Sequence, residues 1–154
     1  SLWRTFSAVI GIACVLVYAG GANYWNKQDG WYQSLNQPWW QPPSVVIGLI
    51  WPYNFTVLGI ASFQVSKSLT RSENITWLVL FGLSIIAALT WANQFYVPHN
   101  FLSASIALTL TALLTLPMLF LTFKASLVMG LLLVPYQLWV AIAASLAWGY
   151  LARN

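Results

Sequence analysis

Five apolar runs divide the chain, at residues 2–23, 43–65, 75–97, 101–123 and 126–152. Each is close to the ~20 residues that an α-helix needs to cross a hydrocarbon core ~30 Å thick. None alternates apolar and polar residues at period two, as the strand of a membrane barrel would. The pattern predicts an all-α integral membrane protein: a five-transmembrane-helix bundle, one domain over residues 1–154, with a long aromatic and Pro-rich first loop. Pro98-His99-Asn100 and the few residues around Lys124 leave room only for tight turns, so the third to fifth helices run antiparallel to their sequence neighbours. The polar segment 67–74 is longer, and Asn74 or Ser72 is placed to cap the third helix. The first run lacks a small-residue cleavage pattern and reads as a retained helix rather than a signal peptide.

Composition sharpens this picture. Of 154 residues, 60% are hydrophobic and 5% charged, and the mean hydropathy is +0.73. Soluble domains carry about 25% charged residues; two acids and six bases cannot solvate a globule of this size. Arg4, Lys67, Arg71 and Lys124 fall on one side of a five-span topology, Lys27 and Arg153 on the other. That excess places the amino terminus in the cytoplasm under the positive-inside rule. Arg4, at a helix end, is expected to snorkel toward water. The pI near 9.5 comes from these loop residues and points to membrane lipids with anionic headgroups as partners, and to no nucleic acid.

The first loop is the least ordinary stretch. Residues 31–43 hold Trp31, Tyr32, Trp39, Trp40, Pro38 and the Pro42-Pro43 pair, and form neither a good helix nor a good strand. The prolines fix φ and remove backbone donors, while the aromatics offer flat surfaces suited to a lipid boundary or a ligand face. A stiffened aromatic loop beside apolar helices predicts the lid of a pocket for a flat apolar molecule. Pro42 or Pro43 suits the first turn of the second helix, where a missing N–H costs nothing. Trp51 lies about two turns into that helix and Trp139 three to four turns into the fifth, depths from which two indoles could sandwich a planar ring. On the residues alone, Trp51, Trp91 and Trp139 serve equally as pocket walls or core packing. Trp3, Trp25, Trp77 and Trp148, near span ends, read as an interfacial belt. The Tyr32 phenol could orient a ligand carbonyl or carboxylate, and Tyr136, directly after Pro135, reads as a partner for backbone groups freed by a kink.

These features run together in one ordered series. Trp31-Tyr32-x-x-Leu35-x-x-Pro38-x-Trp40-x-Pro42-Pro43 is followed by Gly48-x-x-Trp51 and Gly59-x-Ala61. Trp91 with Phe95-Tyr96 comes next, then Pro135-Tyr136-x-x-Trp139-Val140, Ala143, Leu146 and Asn154. The series resembles, in order and spacing, the signature of the tryptophan-rich sensory protein/mitochondrial translocator protein family. The resemblance implies a homodimeric five-helix receptor or transport-type protein. It would bind porphyrins, haem-related tetrapyrroles or sterols beneath the first loop, with no obligatory cofactor. It assigns Tyr32, Trp40, Trp51, Trp91, Trp139 and Ala143 to the ligand site, and Pro42 and Pro43 to the loop–helix junction. A porphyrin-degrading enzyme, with Trp51 and Trp139 taking part in chemistry, is one alternative; a structural subunit of a larger membrane complex is another. Ala88, Ala147 and Phe55 stand where the family often has Asn, Asn and Tyr, which implies a drier pocket that favours less polar ligands.

Catalytic and metal signatures are sparse. His99 is the only histidine and lies in a turn, where the expected state is a solvated side chain. Asp29 and Glu73 lie in different loops on opposite sides, too far apart for an acid–base pair. Cys14 is mid-span and reads as a small inert apolar residue. No phosphate loop, dinucleotide fingerprint or metal-ligand cluster occurs, and no span carries a mid-membrane acid, base or His relay. Leu146, Tyr150 and Arg153 fit a loose sterol-type pattern but read more simply as interfacial anchors of the last helix. Ser84 with Ala88, and Ala141 with Ser145, are small pairs that permit close helix contact within a bundle or between two.

Overall fold

The computed structural model describes residues 1–26 and 29–154. Six helices appear among them: α1 Leu2–Trp25, α2 Gly30–Ser34, α3 Ser44–Ser68, α4 Arg71–Tyr96, α5 Phe101–Ala125 and α6 Leu127–Arg153. All but α2 are long and apolar enough to cross a membrane, and the protein is an integral, multi-pass membrane protein. Lys27, counted above in the charge distribution, lies outside the described residues.

Local chemistry sets the helix ends. Thr70 and Glu73 form a reciprocal capping box, so α4 starts at Arg71, earlier than the apolar pattern implies. The expected caps, Asn74 and Ser72, lie within that helix instead, because only Thr70 has a Glu three residues on. Asn100 accepts from the Ser103 N–H to start α5, and Ser126 accepts from the Met129 N–H to start α6. His99, at φ 56°, takes the left-handed conformation that reverses the chain between α4 and α5. Pro43 is the N-cap of α3 rather than a first-turn residue. Asp29 accepts from the Tyr32 N–H and winds residues 30–34 into α2, so the first loop holds one helical turn that its composition did not suggest.

The spanning helices close into a ring. α1 packs on α3, α3 on α6, α6 on α5, α5 on α4, and α4 back on α1. The core between them is apolar and aromatic, with Trp77, Phe81, Leu58, Val65 and Val140 fully buried. Trp77 is therefore no belt residue. Its indole N–H donates to Thr122 Oγ1 at 3.0 Å, because its face of α4 turns to α5. Ser84 and Ala88 are buried within the bundle, so this small pair serves packing inside one chain. Ala141 and Ser145 lie on the exposed side of α6. Cys14 is half-buried against the core.

Most polar side chains in the bundle find partners inside it. Tyr136 is not the partner of its own helix backbone, because its hydroxyl pairs with that of Tyr18 at 2.8 Å. Tyr53 of α3 reaches α6 instead and donates to the Leu132 carbonyl at 2.5 Å, beside the backbone that Pro135 disturbs. Arg4 does not snorkel freely. Its guanidinium donates to the Ser66 and Leu69 carbonyls at 2.7 and 3.1 Å, closing the C-terminal end of α3, where orphan carbonyls and the helix dipole favour a cation. Lys124 pairs with Glu73.

Two outcomes test this architecture. Cysteines introduced by Gln33→Cys and Ser68→Cys should react with an impermeant maleimide from opposite faces of oriented vesicles; labelling from one face contradicts the topology. Tyr136→Phe leaves the Tyr18 hydroxyl buried and unpaired, a loss of about 1–3 kcal/mol. In thermal unfolding in detergent, Tyr18→Phe/Tyr136→Phe should recover most of that loss.

Candidate functional site

Loop residues 35–43 fold across one end of the bundle and are pinned to α6. The Asn36 N–H donates to Asn154 Oδ1 at 2.9 Å, and Asn154 Nδ2 donates back to the Asn36 carbonyl at 3.0 Å. Asn36 Nδ2 donates to the Arg153 carbonyl at 3.2 Å. Pro38 is buried against Gly149, where a Cβ would meet the proline ring at 2.6 Å and the Trp40 indole at 3.0 Å. Only glycine permits that approach. Trp40 lies along α6, its N–H donating to Ser145 Oγ at 3.0 Å and the Arg153 guanidinium 5.0 Å above its ring. The loop's other edge is held by Trp31, which stacks on His99 at 3.5 Å and 5°. His99 is thus exposed to water on one side only and forms part of the loop's seat.

Beneath this loop lies a cavity of about 70 Å³. Tyr32, Trp51, Trp91, Trp139 and Ala143, drawn from the loop and from α3, α4 and α6, all line it. Trp40, Pro42 and Pro43 do not. The Pro38–Gly149 contact carries Trp40 onto the outer side of α6, and the two prolines turn the chain into α3, so all three act on the loop's position. Residues that sequence reasoning did not place in the site complete the wall with Ala147: Asn26, Gln41, Ile47, Phe95, Tyr96, Leu146 and Tyr150. A signal for part of this set was present. Trp139, Ala143, Leu146, Ala147 and Tyr150 recur at three- and four-residue steps, which is one face of a helix. Tyr150 is 4% exposed and faces the cavity, so it is not an interfacial anchor.

The cavity has two chemically distinct halves. Its inner wall is indole and alkyl: Trp51 meets Trp139 edge to face, centroids 6.1 Å apart at 87°, and stacks on Phe55 at 5.5 Å and 26°. Perpendicular rings cannot sandwich one plane, so the two indoles offer a flat ligand one face and one edge. The outer wall is polar. Gln41 Nε2 donates to the Tyr32 hydroxyl, and the Tyr150 hydroxyl donates to Gln41 Oε1, both at 3.2 Å. Among the described lining residues none is charged. Ala147 lines the cavity, whereas Ala88 is buried in the core and Phe55 stands behind Trp51. Of the three, only Ala147 bears on the polarity of the cavity wall. Asn93 and Gln94 are committed to each other, and Gln94 also to Ser103. The Trp139 N–H is buried without a protein acceptor.

The ring of five spans and this pocket of aromatics under a pinned loop can be set against known proteins. The sequence profile described as TspO/MBR family matches residues 6–153. The chain belongs to that family. It is 27% identical over 107 residues to protein CrtK of Rhodobacter capsulatus, a match covering 69% of this chain and 66% of that protein. It is 39% identical over 41 residues to a tryptophan-rich sensory protein of Cereibacter sphaeroides, covering 27% of this chain and 26% of that one. The matched segments span less than two thirds of either relative's own length. Among the described residues, no group of three or more His, Cys, Asp or Glu side chains is placed to hold a metal ion.

The loop's seat is testable without any ligand. Gly149→Ala puts a methyl group where Pro38 packs and should lift residues 36–41 off α6. Chymotryptic cleavage within the loop should then accelerate several-fold while far-UV circular dichroism stays unchanged. Cleavage at the parent rate would show that the loop is not held there.

Proposed function

We propose that this protein binds flat, largely apolar ligands, tetrapyrroles of the porphyrin and haem type foremost and sterols as a second class, in the pocket beneath the first loop. The observation that carries this reading is the convergence of Trp51, Trp91, Trp139 and Tyr32, from four separate elements, on one uncharged cavity. Aromatic faces and edges favour an extended π-system by about 0.5–1.5 kcal/mol per contact beyond the area buried. The inner half suits the macrocycle. The outer half, with Tyr32, Gln41 and Tyr150, suits polar substituents, and the unpartnered Trp139 N–H is available to a ligand acceptor.

Size adds a condition. A site that buries a drug-sized ligand typically encloses roughly 300–1,000 Å³, well above the 70 Å³ found here. A macrocycle therefore enters by displacing the loop and rotating aromatic side chains, and the loop's few hydrogen bonds to α6 make that displacement accessible. Receptor or transport action follows in this reading from coupling between occupancy and loop position, in a homodimer embedded by its exposed leucines, isoleucines and valines.

The test is a titration with protoporphyrin IX, followed by its own absorbance so that the signal does not depend on the protein's tryptophans. Trp51→Phe and Trp139→Phe should each weaken binding about two- to tenfold. Trp39→Phe, at a side chain 86% exposed, should leave it unchanged. Parent-like affinity in both pocket variants would refute the assignment. Growth of bilin-like absorption under illumination, lost in the same two variants, would establish the enzymatic alternative.

A further inference from the structure

A second, larger concavity lies at the opposite end of the bundle, between α1 and α3. It measures about 610 Å³, and its walls come from Arg4, Thr5, Ala8, Val9 and Ile12 of α1 and from Phe63, Ser66 and Lys67 of α3. Polarity is graded along it. Arg4, Thr5 and Lys67 stand at the helix ends. Val9 and Phe63 lie about one turn deeper and Ile12 about two, some ~12 Å of helix rise from Arg4. Val9 and Phe63 are 59% and 55% exposed, so the lower groove opens sideways toward the hydrocarbon.

The cations at its mouth have no carboxylate to answer them. The chain holds two acids. Asp29 caps α2 at the other end of the bundle, and Glu73 pairs with Lys124. Arg4 is nonetheless fixed in place. One nitrogen, Nη1, is committed to the Ser66 and Leu69 carbonyls, and Trp3 lies 4.3 Å beneath the guanidinium carbon. That geometry orients the remaining N–H groups without neutralising the charge. Lys67 is an exposed point charge on the facing helix, carried on a stem with several rotatable bonds. A rigid guanidinium and an adaptable ammonium at one mouth form a receptor for a phosphate group. An apolar channel running from that mouth into the hydrocarbon region fits an acyl chain.

We propose that this groove is a binding site for one anionic phospholipid, its phosphodiester held between Arg4 and Lys67 and one acyl chain laid along Val9, Ile12 and Phe63. Free inorganic phosphate would satisfy the mouth but leave the apolar channel unused. A zwitterionic lipid would bring a choline group against two uncompensated cations. The site is separate from the aromatic pocket and shares no residue with it.

The experiment is native mass spectrometry of the full chain in detergent, titrated with phosphatidylglycerol or phosphatidylcholine of equal chain length. One phosphatidylglycerol should be retained at concentrations where phosphatidylcholine is not. Lys67→Gln should weaken that retention about fivefold, the effect of one basic residue near an anionic surface. Arg71→Gln, on the same side but outside the groove, should have little effect. Val9→Trp, which fills the channel while sparing the Arg4 contacts that close α3, should abolish retention of the single lipid. Equal losses for Lys67→Gln and Arg71→Gln would show diffuse attraction and overturn the proposal. So would displacement by glycerol 1-phosphate at the lipid's own concentration, or a Val9→Trp variant that changes the oligomeric state and not the lipid count.

Discussion

A bilayer core offers no water to a polar group, so every buried N–H, C=O and hydroxyl must be answered from within the chain. That constraint organises the bundle. Serine and threonine hydroxyls turn back onto their own helices, as Thr111, Thr115 and Thr122 do along α5. Tyr18 and Tyr136 answer each other, Trp77 finds Thr122, and Tyr53 reaches the α6 backbone near Pro135. Arg4 closes the end of α3, whose carbonyls would otherwise face the interface unpaired. Exceptions among the described side chains are few: the Asn54 amide, Asn74 Nδ2, Gln137 Oε1 and the Trp139 N–H are buried with no protein partner.

Irregular backbone is tolerated only where this constraint relaxes, at the ends of the spans. The first loop occupies one such end, and its prolines lower the number of donors it must satisfy. The polar contacts that remain are made with the last turns of α6 and among Tyr32, Gln41 and Tyr150. Pocket and lid are thus one construction. The same residues that satisfy the loop's polar groups form the cavity's polar half, and the apolar half is left to the helices.

Much of this architecture is legible in the sequence, because five spans and their antiparallel order follow from run length and linker length. The aromatic site was legible in part. Trp51, Trp91, Trp139 and Tyr32 line one cavity, as their places in the ordered motif suggest they could, whereas Trp40 lies outside it, since nothing local reveals that Pro38 will wedge against Gly149 more than a hundred residues away. Side-chain direction was the hardest feature to read. These helices are apolar nearly all round, so the 3.6-residue period that separates core from solvent in a soluble protein carries little contrast. Trp77 and Tyr150 show the result: position near a span end gives depth in the membrane but not which way the ring points. The α2 turn escaped notice because its cap, Asp29, is a single residue in a loop otherwise hostile to helix.

The seating of the loop on α6 also has a temporal side. Asn36 meets Asn154 and Trp40 meets Ser145 across sequence separations of 118 and 105 residues. During synthesis the loop emerges long before α6 exists, and three spans must be threaded through the membrane while its seat on α6 is missing. The inner wall of the pocket lacks Trp139 for the same interval. A half-made chain therefore carries an open aromatic loop at the membrane surface, and the aromatic cavity beneath it is the last part of the molecule to be assembled.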